Sequence, residues 1–275
     1  MARAYTWLQL SSLSQFILPR NYLRFANPLS SILPNFVSSP ASYSSLSKRS
    51  MRHLIPVLAQ AKRGPSFKDN EVALPADLQF EAPLKIVEYP DPRLRAKNKR
   101  IGKFDDNLKN LVDEMFDVMY KTDGIGLSAP QVGVNIQLMV FNPVGERGEG
   151  EEVVLVNPRV IKYSKKTVLF NEGCLSFPGI YADVQRPESL KIDAQDITGS
   201  KFTIDLSGLP ARVFQHEFDH LKGIVFIDRM TEEVVETIRE ELQALEKKYE
   251  TETGRPSPER IGTRKKKVAV GFGKS

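Results

Sequence analysis

Leu209-Pro210-Ala211-Arg212-Val213-Phe214-Gln215-His216-Glu217-Phe218-Asp219-His220-Leu221 is the stretch on which the rest of the chain turns. It follows Gly208, and Pro210 sits where a first helical turn tolerates a missing N–H, so a helix is expected over Leu209–Leu221. Residues four apart share a helix face, so His216 and His220 can present both imidazoles to one point. Glu217 stands beside the first of them. In such a His-Glu-x-x-His arrangement two imidazoles hold an ion and the carboxylate addresses water next to it. A bound divalent ion acidifies its water and polarises a carbonyl. A carboxylate within reach can take that proton and later deliver it to a leaving amine. Two histidines at this spacing can also be plain core or surface residues. With only three histidines in the chain, the third being the distant His53, and with Leu209, Val213, Phe214 and Leu221 marking a buried helix, the metal reading is preferred.

Two histidines do not complete a catalytic site, which usually has three protein ligands and an open position. The single cysteine is Cys174, in Asn171-Glu172-Gly173-Cys174-Leu175-Ser176-Phe177-Pro178. Gly173 and Pro178 predict an irregular turn after a strand, where a side chain can be held rigidly. A free cysteine is also commonly an inert buried thiol. The rival third ligand is Glu240, twenty residues after His220, at a spacing seen in zinc peptidases of the thermolysin type. It stands among Glu236, Arg239, Glu241 and Lys247, which reads as a solvated helix face, and Cys174 is favoured.

Outward from these motifs, Asp105–Thr122 is an amphipathic helix, with Leu108, Leu111, Val112, Met115, Phe116 and Met119 at three- and four-residue spacing. Gly124-Ile125-Gly126 ends it. Strands are expected at Leu84–Tyr89, Val134–Asn142, Val153–Val156, Thr167–Phe170, Ser189–Ala194, Phe202–Leu206 and Val225–Ile227, and a third helix at Glu232–Tyr249. Glu71–Glu81 reads as a linker, and the chain from Thr251 as a mobile tail with the run Arg264-Lys265-Lys266-Lys267. Strands in a run, with helices before and after, predict an α+β fold. Its strands are mostly antiparallel and pack around a central helix carrying the His-Glu-x-x-His motif, with a C-terminal helix added.

The net charge of +5 on 275 residues is unevenly spread. The first acid is Asp69, and nine bases precede it, leaving thirty bases against all 34 acids, or −4, for the remainder. A basic, nucleic-acid-binding core is therefore not supported. One cysteine excludes an intramolecular disulfide, and no run of about 18 apolar residues predicts a membrane span. The acid-free first 60 residues are rich in serine, carry scattered arginines and are interrupted by Pro19, Pro28, Pro34 and Pro40. That is the composition of an organellar transit peptide rather than a packed domain. A secretory signal would need a longer unbroken apolar run than Trp7–Leu10 or Phe16–Leu18 provides.

Three motifs stand in order: Gly124-Ile125-Gly126-Leu127-Ser128-Ala129-Pro130-Gln131, then Glu172-Gly173-Cys174-Leu175-Ser176, then His216-Glu217-Phe218-Asp219-His220. Together they closely resemble the peptide deformylases, over residues 80–250. The leader, and Phe177 in place of an aliphatic residue, resemble the plant organellar B-type subgroup. The resemblance implies removal of the formyl group from N-formylmethionine at the start of newly made organelle-encoded proteins, with release of formate. It implies Cys174, His216 and His220 as ligands of one divalent ion, Fe²⁺ in the first place with Zn²⁺ able to substitute. A metal-bound hydroxide would attack the formyl carbon, with Glu217 as general acid/base. Gln131, through its side-chain amide, and Leu175, through its backbone N–H, would stabilise the oxyanion. Ile125 and Gly126 would line the substrate cleft, and Val213, with the apolar edge of His216, would take the methionine side chain. Glu172 is expected to orient rather than take part. The arginine partner that the family places a few residues past the cysteine motif is not found there, where Tyr181 stands.

The implied division is 1–60 transit peptide, 61–80 linker, 81–250 metal-dependent deformylase domain and 251–275 mobile basic tail. The implied partners are N-formylmethionyl nascent polypeptides and, transiently, the organellar ribosome, with neither DNA nor membrane. The chloroplast stroma is the expected location, with the mitochondrion as a second destination. Two other functions compete. One is a zinc endopeptidase using His216, His220 and Glu240. The other is a non-catalytic, metal-stabilised module tethered to ribosomal RNA by the basic tail, against which the −4 of the remainder argues.

Overall fold

The first helix, α1 (Asp106–Lys121), begins at Asp105, whose side chain accepts the Leu108 N–H. A cap of this kind satisfies one of the donors that the first turn leaves open. Its apolar stripe is buried as the periodicity predicts, with Leu108, Leu111, Met115 and Met119 fully so. Each such side chain contributes roughly 1.5–3 kcal/mol of burial. The computed structural model describes residues 71–263 and 271–272. The transit-like leader, His53 and the run Arg264–Lys267 lie outside the described residues.

Seven strands follow: β1 (Gly126–Ser128), β2 (Leu138–Phe141), β3 (Val153–Tyr163), β4 (Thr167–Cys174), β5 (Phe177–Pro187), β6 (Ser189–Gln195) and β7 (Lys201–Ser207). Five make an antiparallel sheet in the order β1-β2-β3-β6-β7, and β4 and β5 pair as a separate two-stranded ribbon. In β2, Leu138 and Val140 face the α1 cluster, and Met139 and Phe141 face a second cluster built on the next helix, α2 (Gly208–Leu221). Burial on both faces explains why Leu-Met-Val-Phe runs without polar alternation. α2 thus lies against the sheet, and it also contacts β5 of the ribbon. A third cluster joins Phe177, Val184, Phe226 and Leu242. The α+β fold, with a central helix among antiparallel strands and a C-terminal helix, is as expected.

Several local expectations are corrected. Leu84–Tyr89 is extended, and Leu84, Val87 and Tyr89 are buried, but it joins no ladder. Its N–H groups go singly to two segments, Val87 to the Gln131 carbonyl (2.7 Å) and Tyr89 to the Ser176 carbonyl (2.8 Å). Strand β2 occupies only the last part of Val134–Asn142, and β3 and β4 run further than expected. Strand β5 was hidden by Pro178 and Gly179, which an edge strand tolerates because one of its sides needs no partner. Val225–Ile227 is not a strand: Phe226–Arg229 is a 3₁₀ turn, with Asp228 accepting the Val225 N–H (3.0 Å). The C-terminal helix is two, α3 (Glu232–Thr237) and α4 (Arg239–Thr253), broken at the buried Ile238.

The stretch read as a linker folds back, with Leu78 in the core and Ala73 donating to the Arg100 carbonyl (2.7 Å). The start of the tail is anchored too: Ile261 is buried and its N–H donates to Glu246 (2.6 Å). Among the described residues no helix is long and apolar enough to cross a membrane.

Candidate metal centre and active site

Helix α2 carries His216, Glu217 and His220 on its buried side. Cys174 reaches them from the end of β4. There the register slips between Gly173 and Cys174, so that Gly173 pairs with Tyr181 but Cys174 pairs with Phe177. A bulge of this kind re-aims a side chain. The ligand atoms of Cys174, His216 and His220 lie within 4.8 Å of one another. Cys174 Sγ is 3.3 Å from His220 Nε2. His216 Nδ1 is engaged by Glu172 Oε2 at 3.1 Å, which leaves Nε2 as the nitrogen available to an ion. A hydrogen-bonded second nitrogen is what orients a metal-bound imidazole. One thiolate and two imidazoles converging from two elements fit a divalent ion with a position left open. Among the described residues this is the one such group of three, and Glu240, exposed on α4, has no place in it.

Glu217 is buried, and its Oε2 meets no protein donor. Burial pushes its carboxyl up to about 7, because the charged form loses its hydration. A carboxyl poised near neutrality can both accept and return a proton. Gln131 is held by its oxygen: Oε1 accepts from the Ser128 N–H (2.9 Å) and from Ser128 Oγ (2.7 Å). Its amide Nε2 is thereby turned towards the cluster, 3.7 Å from Cys174 Sγ. Leu175 forms the turn immediately after Cys174.

Strand β1 is an edge strand, paired on one side only, with Gly126 opposite Phe141. A Cβ on Gly126 would stand 2.5 Å from Val213 Cγ1 and 2.8 Å from Glu217 Oε1, so only glycine allows this backbone to lie against α2. Val213 is buried one turn before Glu217, and Ile125 is half-buried with its carbonyl accepting the Asn142 N–H (2.9 Å). The structure therefore brings the candidate ligands Cys174, His216 and His220 together, sets Gly126 against Val213 and Glu217, and aims Gln131 at the three.

Sequence reasoning missed what supports these groups. The arginine partner of Glu172 exists: it is Arg186, on β5, donating from Nε (2.7 Å) and Nη2 (3.0 Å). Arg212, on α2, adds a further bond to Glu172 Oε1. Burial alone would raise the Glu172 carboxyl, but the His216 hydrogen bond and the Arg186 charge outweigh it and hold it well below the usual range. Arg186 also donates to Asp219 Oδ2 (2.7 Å), and Arg229 grips both Asp219 oxygens. One signal was available. In β5 the inward positions are Ile180, Ala182, Val184 and Arg186, and an arginine in that series needs buried acids.

The sequence profile of the polypeptide deformylase family matches residues 83–236. Peptide deformylase 1B of Solanum lycopersicum, named as chloroplastic, is 62% identical over 278 residues, covering 99% of each chain. Its Arabidopsis thaliana counterpart, named as chloroplastic/mitochondrial, is 62% identical over 275 residues, covering 100% of each. Among solved structures, a plant peptide deformylase of the 1B type is 76% identical with a TM-score of 0.66. It covers 66% of this chain and 99% of that one.

Proposed function

From the premise that this chain belongs to the polypeptide deformylase family, in its plant organellar B-type branch, we propose the following division of labour among its residues. The protein is a metal-dependent hydrolase of an organelle, and it removes the N-formyl group from nascent peptides. Cys174, His216 and His220 hold the ion, with Glu172 fixing the His216 ring. When bound, the divalent ion supplies a Lewis acid and acidifies water towards neutrality. Glu217 would take a proton from the water whose oxygen bonds to the formyl carbon, and return it to the amine of methionine as the C–N bond breaks. Gln131 Nε2 donates to the oxygen of the formyl group as its charge develops, joined by the Leu175 N–H. The unpaired side of β1, at Gly126 and Ile125, receives the peptide backbone as an added strand. Val213 and the apolar edge of His216 form part of the methionine pocket.

The single observation that carries this reading is the convergence of a thiol and two imidazoles beside a buried carboxyl whose Oε2 meets no protein donor. The family resemblance favours Fe²⁺ as the working ion, while a thiolate with two imidazoles suits iron and zinc alike, so Zn²⁺ can occupy the same donors. We place the protein in the chloroplast stroma, with the mitochondrion as a second destination. Contact with the organellar ribosome is brief, in keeping with a substrate that is still being made. The first 60 residues act as the address and residues 81–250 as the catalytic unit. The endopeptidase alternative is not favoured, since Glu240 faces solvent. The test is formate release from a formyl-Met-Ala-Ser peptide by protein purified without oxygen, with Glu217→Gln beside it. The native chain should release formate, and the variant should keep its metal and lose turnover by about 100- to 10,000-fold. No formate from a metal-loaded native chain would overturn the proposal.

A further inference from the structure

Two residues near the C-terminus reach the charged network behind the metal-bearing helix. The Gly271 carbonyl accepts a hydrogen bond from Arg229 Nη1 at 3.1 Å. The next residue, Phe272, lays its ring over the same guanidinium, with Arg229 Cζ 4.3 Å from the ring centroid. Tyr163, the last residue of β3, packs on that ring, with the two centroids 5.5 Å apart. Under this cover the Arg229 side chain is 7% exposed and that of its partner Asp219 is 6%. A guanidinium stacked on an aromatic face and shielded from water holds its carboxylate more strongly than one in solvent.

From Arg229 the contacts run inward without a gap. Asp219 accepts from Arg229 and from Arg186, Arg186 grips Glu172 with two nitrogens, and Glu172 meets His216 Nδ1. Asp219 itself lies between the two ligating histidines on α2. Every link is a charge-assisted hydrogen bond, and in a dry setting no water stands ready to replace a lost partner.

We propose that Gly271 and Phe272 form a clasp that positions the metal centre. By covering Arg229 they hold it against Asp219, which fixes the Arg186–Glu172 pair that orients His216, and so slow the loss of the ion. Phe272 is thus a positioning residue, acting through four others and touching neither substrate nor ion. The inference rests on the reading of Cys174, His216 and His220 as ligands. The bland reading of the same ring is packing that adds to fold stability alone. The two part company over the metal.

The test uses the full chain loaded with Zn²⁺ and mixed with an excess of a chromophoric chelator. Native protein is compared with Phe272→Ala, Phe272→Trp and Cys174→Ser, and denaturant unfolding of the metal-free proteins is followed in parallel. Groups that bond a ligand directly usually change metal affinity about 10- to 100-fold. For a more distant clasp, Phe272→Ala should release the ion about 3- to 10-fold faster. Phe272→Trp, which keeps an aromatic face for Arg229, should release it at the native rate, and KM for a formyl peptide should be the same in both Phe272 variants as in the native protein. Equal release from native protein and Phe272→Ala overturns the clasp, whether or not stability falls. So does release from Phe272→Trp as fast as from Phe272→Ala. Retention of the ion by Cys174→Ser at the native rate would instead reject the ligand assignment itself, which separates the two failures.

Discussion

Replacing Gly126 by alanine adds a single methyl group and should cost more activity than stability. That methyl would sit 2.5 Å from Val213 Cγ1 and 2.8 Å from Glu217 Oε1. Ordinary carbon contacts lie near 3.5–4.0 Å, so the gap between β1 and α2 must open by about 1 Å. Neither side yields easily. β1 is bonded to β2 along its length, and α2 is packed between the sheet and the ribbon. Overpacking of this kind typically costs about 1–3 kcal/mol. A displacement of about 1 Å at a reacting group costs on the order of 100-fold in rate. The assay is kcat and KM on a formyl-Met-Ala-Ser peptide, with urea unfolding alongside. A Val213→Ala partner completes a double-mutant cycle. Shortening Val213 removes the first clash, so Gly126→Ala should destabilise the Val213→Ala background by less than it does the native one. The second clash, with Glu217, persists, so kcat should stay low in the double variant. A kcat within twofold of native in Gly126→Ala would refute the argument that this glycine lets the backbone approach the carboxyl.

Other perturbations test the groups around it. Gln131→Ala removes a donor whose amide is aimed by two bonds from Ser128, and kcat should fall about 100- to 1,000-fold with KM little changed. Arg186→Met leaves Glu172 and Asp219 short of a buried partner and should cost about 3–5 kcal/mol in denaturant unfolding. Glu172 has a folded pKa depressed from its ordinary 4.5. A depressed acid contributes stability that is present above its unfolded value and is lost as pH falls through the folded one. Metal-free native protein should therefore lose stability steadily below about pH 4.5, and Glu172→Gln, less stable at neutral pH, should show a shallower fall over the same range. Parallel curves for the two would exclude Glu172 as the source.

What could be read from the chain divides by how far apart the cooperating residues lie. His216, Glu217 and His220 depend only on helix spacing, and Cys174 stood out as the lone thiol beside a turn. The α1 stripe was legible for the same reason. Leu84–Tyr89 shows where local pattern stops. Its apolar Leu84, Val87 and Tyr89 are buried, yet its backbone bonds go to Gln131 and Ser176, which no period in that segment could announce. Arg186 was harder still, since its acids stand 14 and 33 residues away and meet it only through the β4–β5 register and the placing of α2. The ribbon itself was obscured by Pro178 and Gly179, which read as a turn unless the strand is known to have a free edge. Once β5 is drawn, however, the alternation Ile180, Ala182, Val184, Arg186 places a guanidinium on an apolar face. Such a charge must find buried carboxylates. Glu172, two residues before Cys174, and Asp219, next to His220, are acids that a fold closing around those candidate ligands carries inward with them. A positive charge on the inward face of a strand is therefore a pointer to the shell that holds a metal site, even where the site's own residues are read from spacing alone.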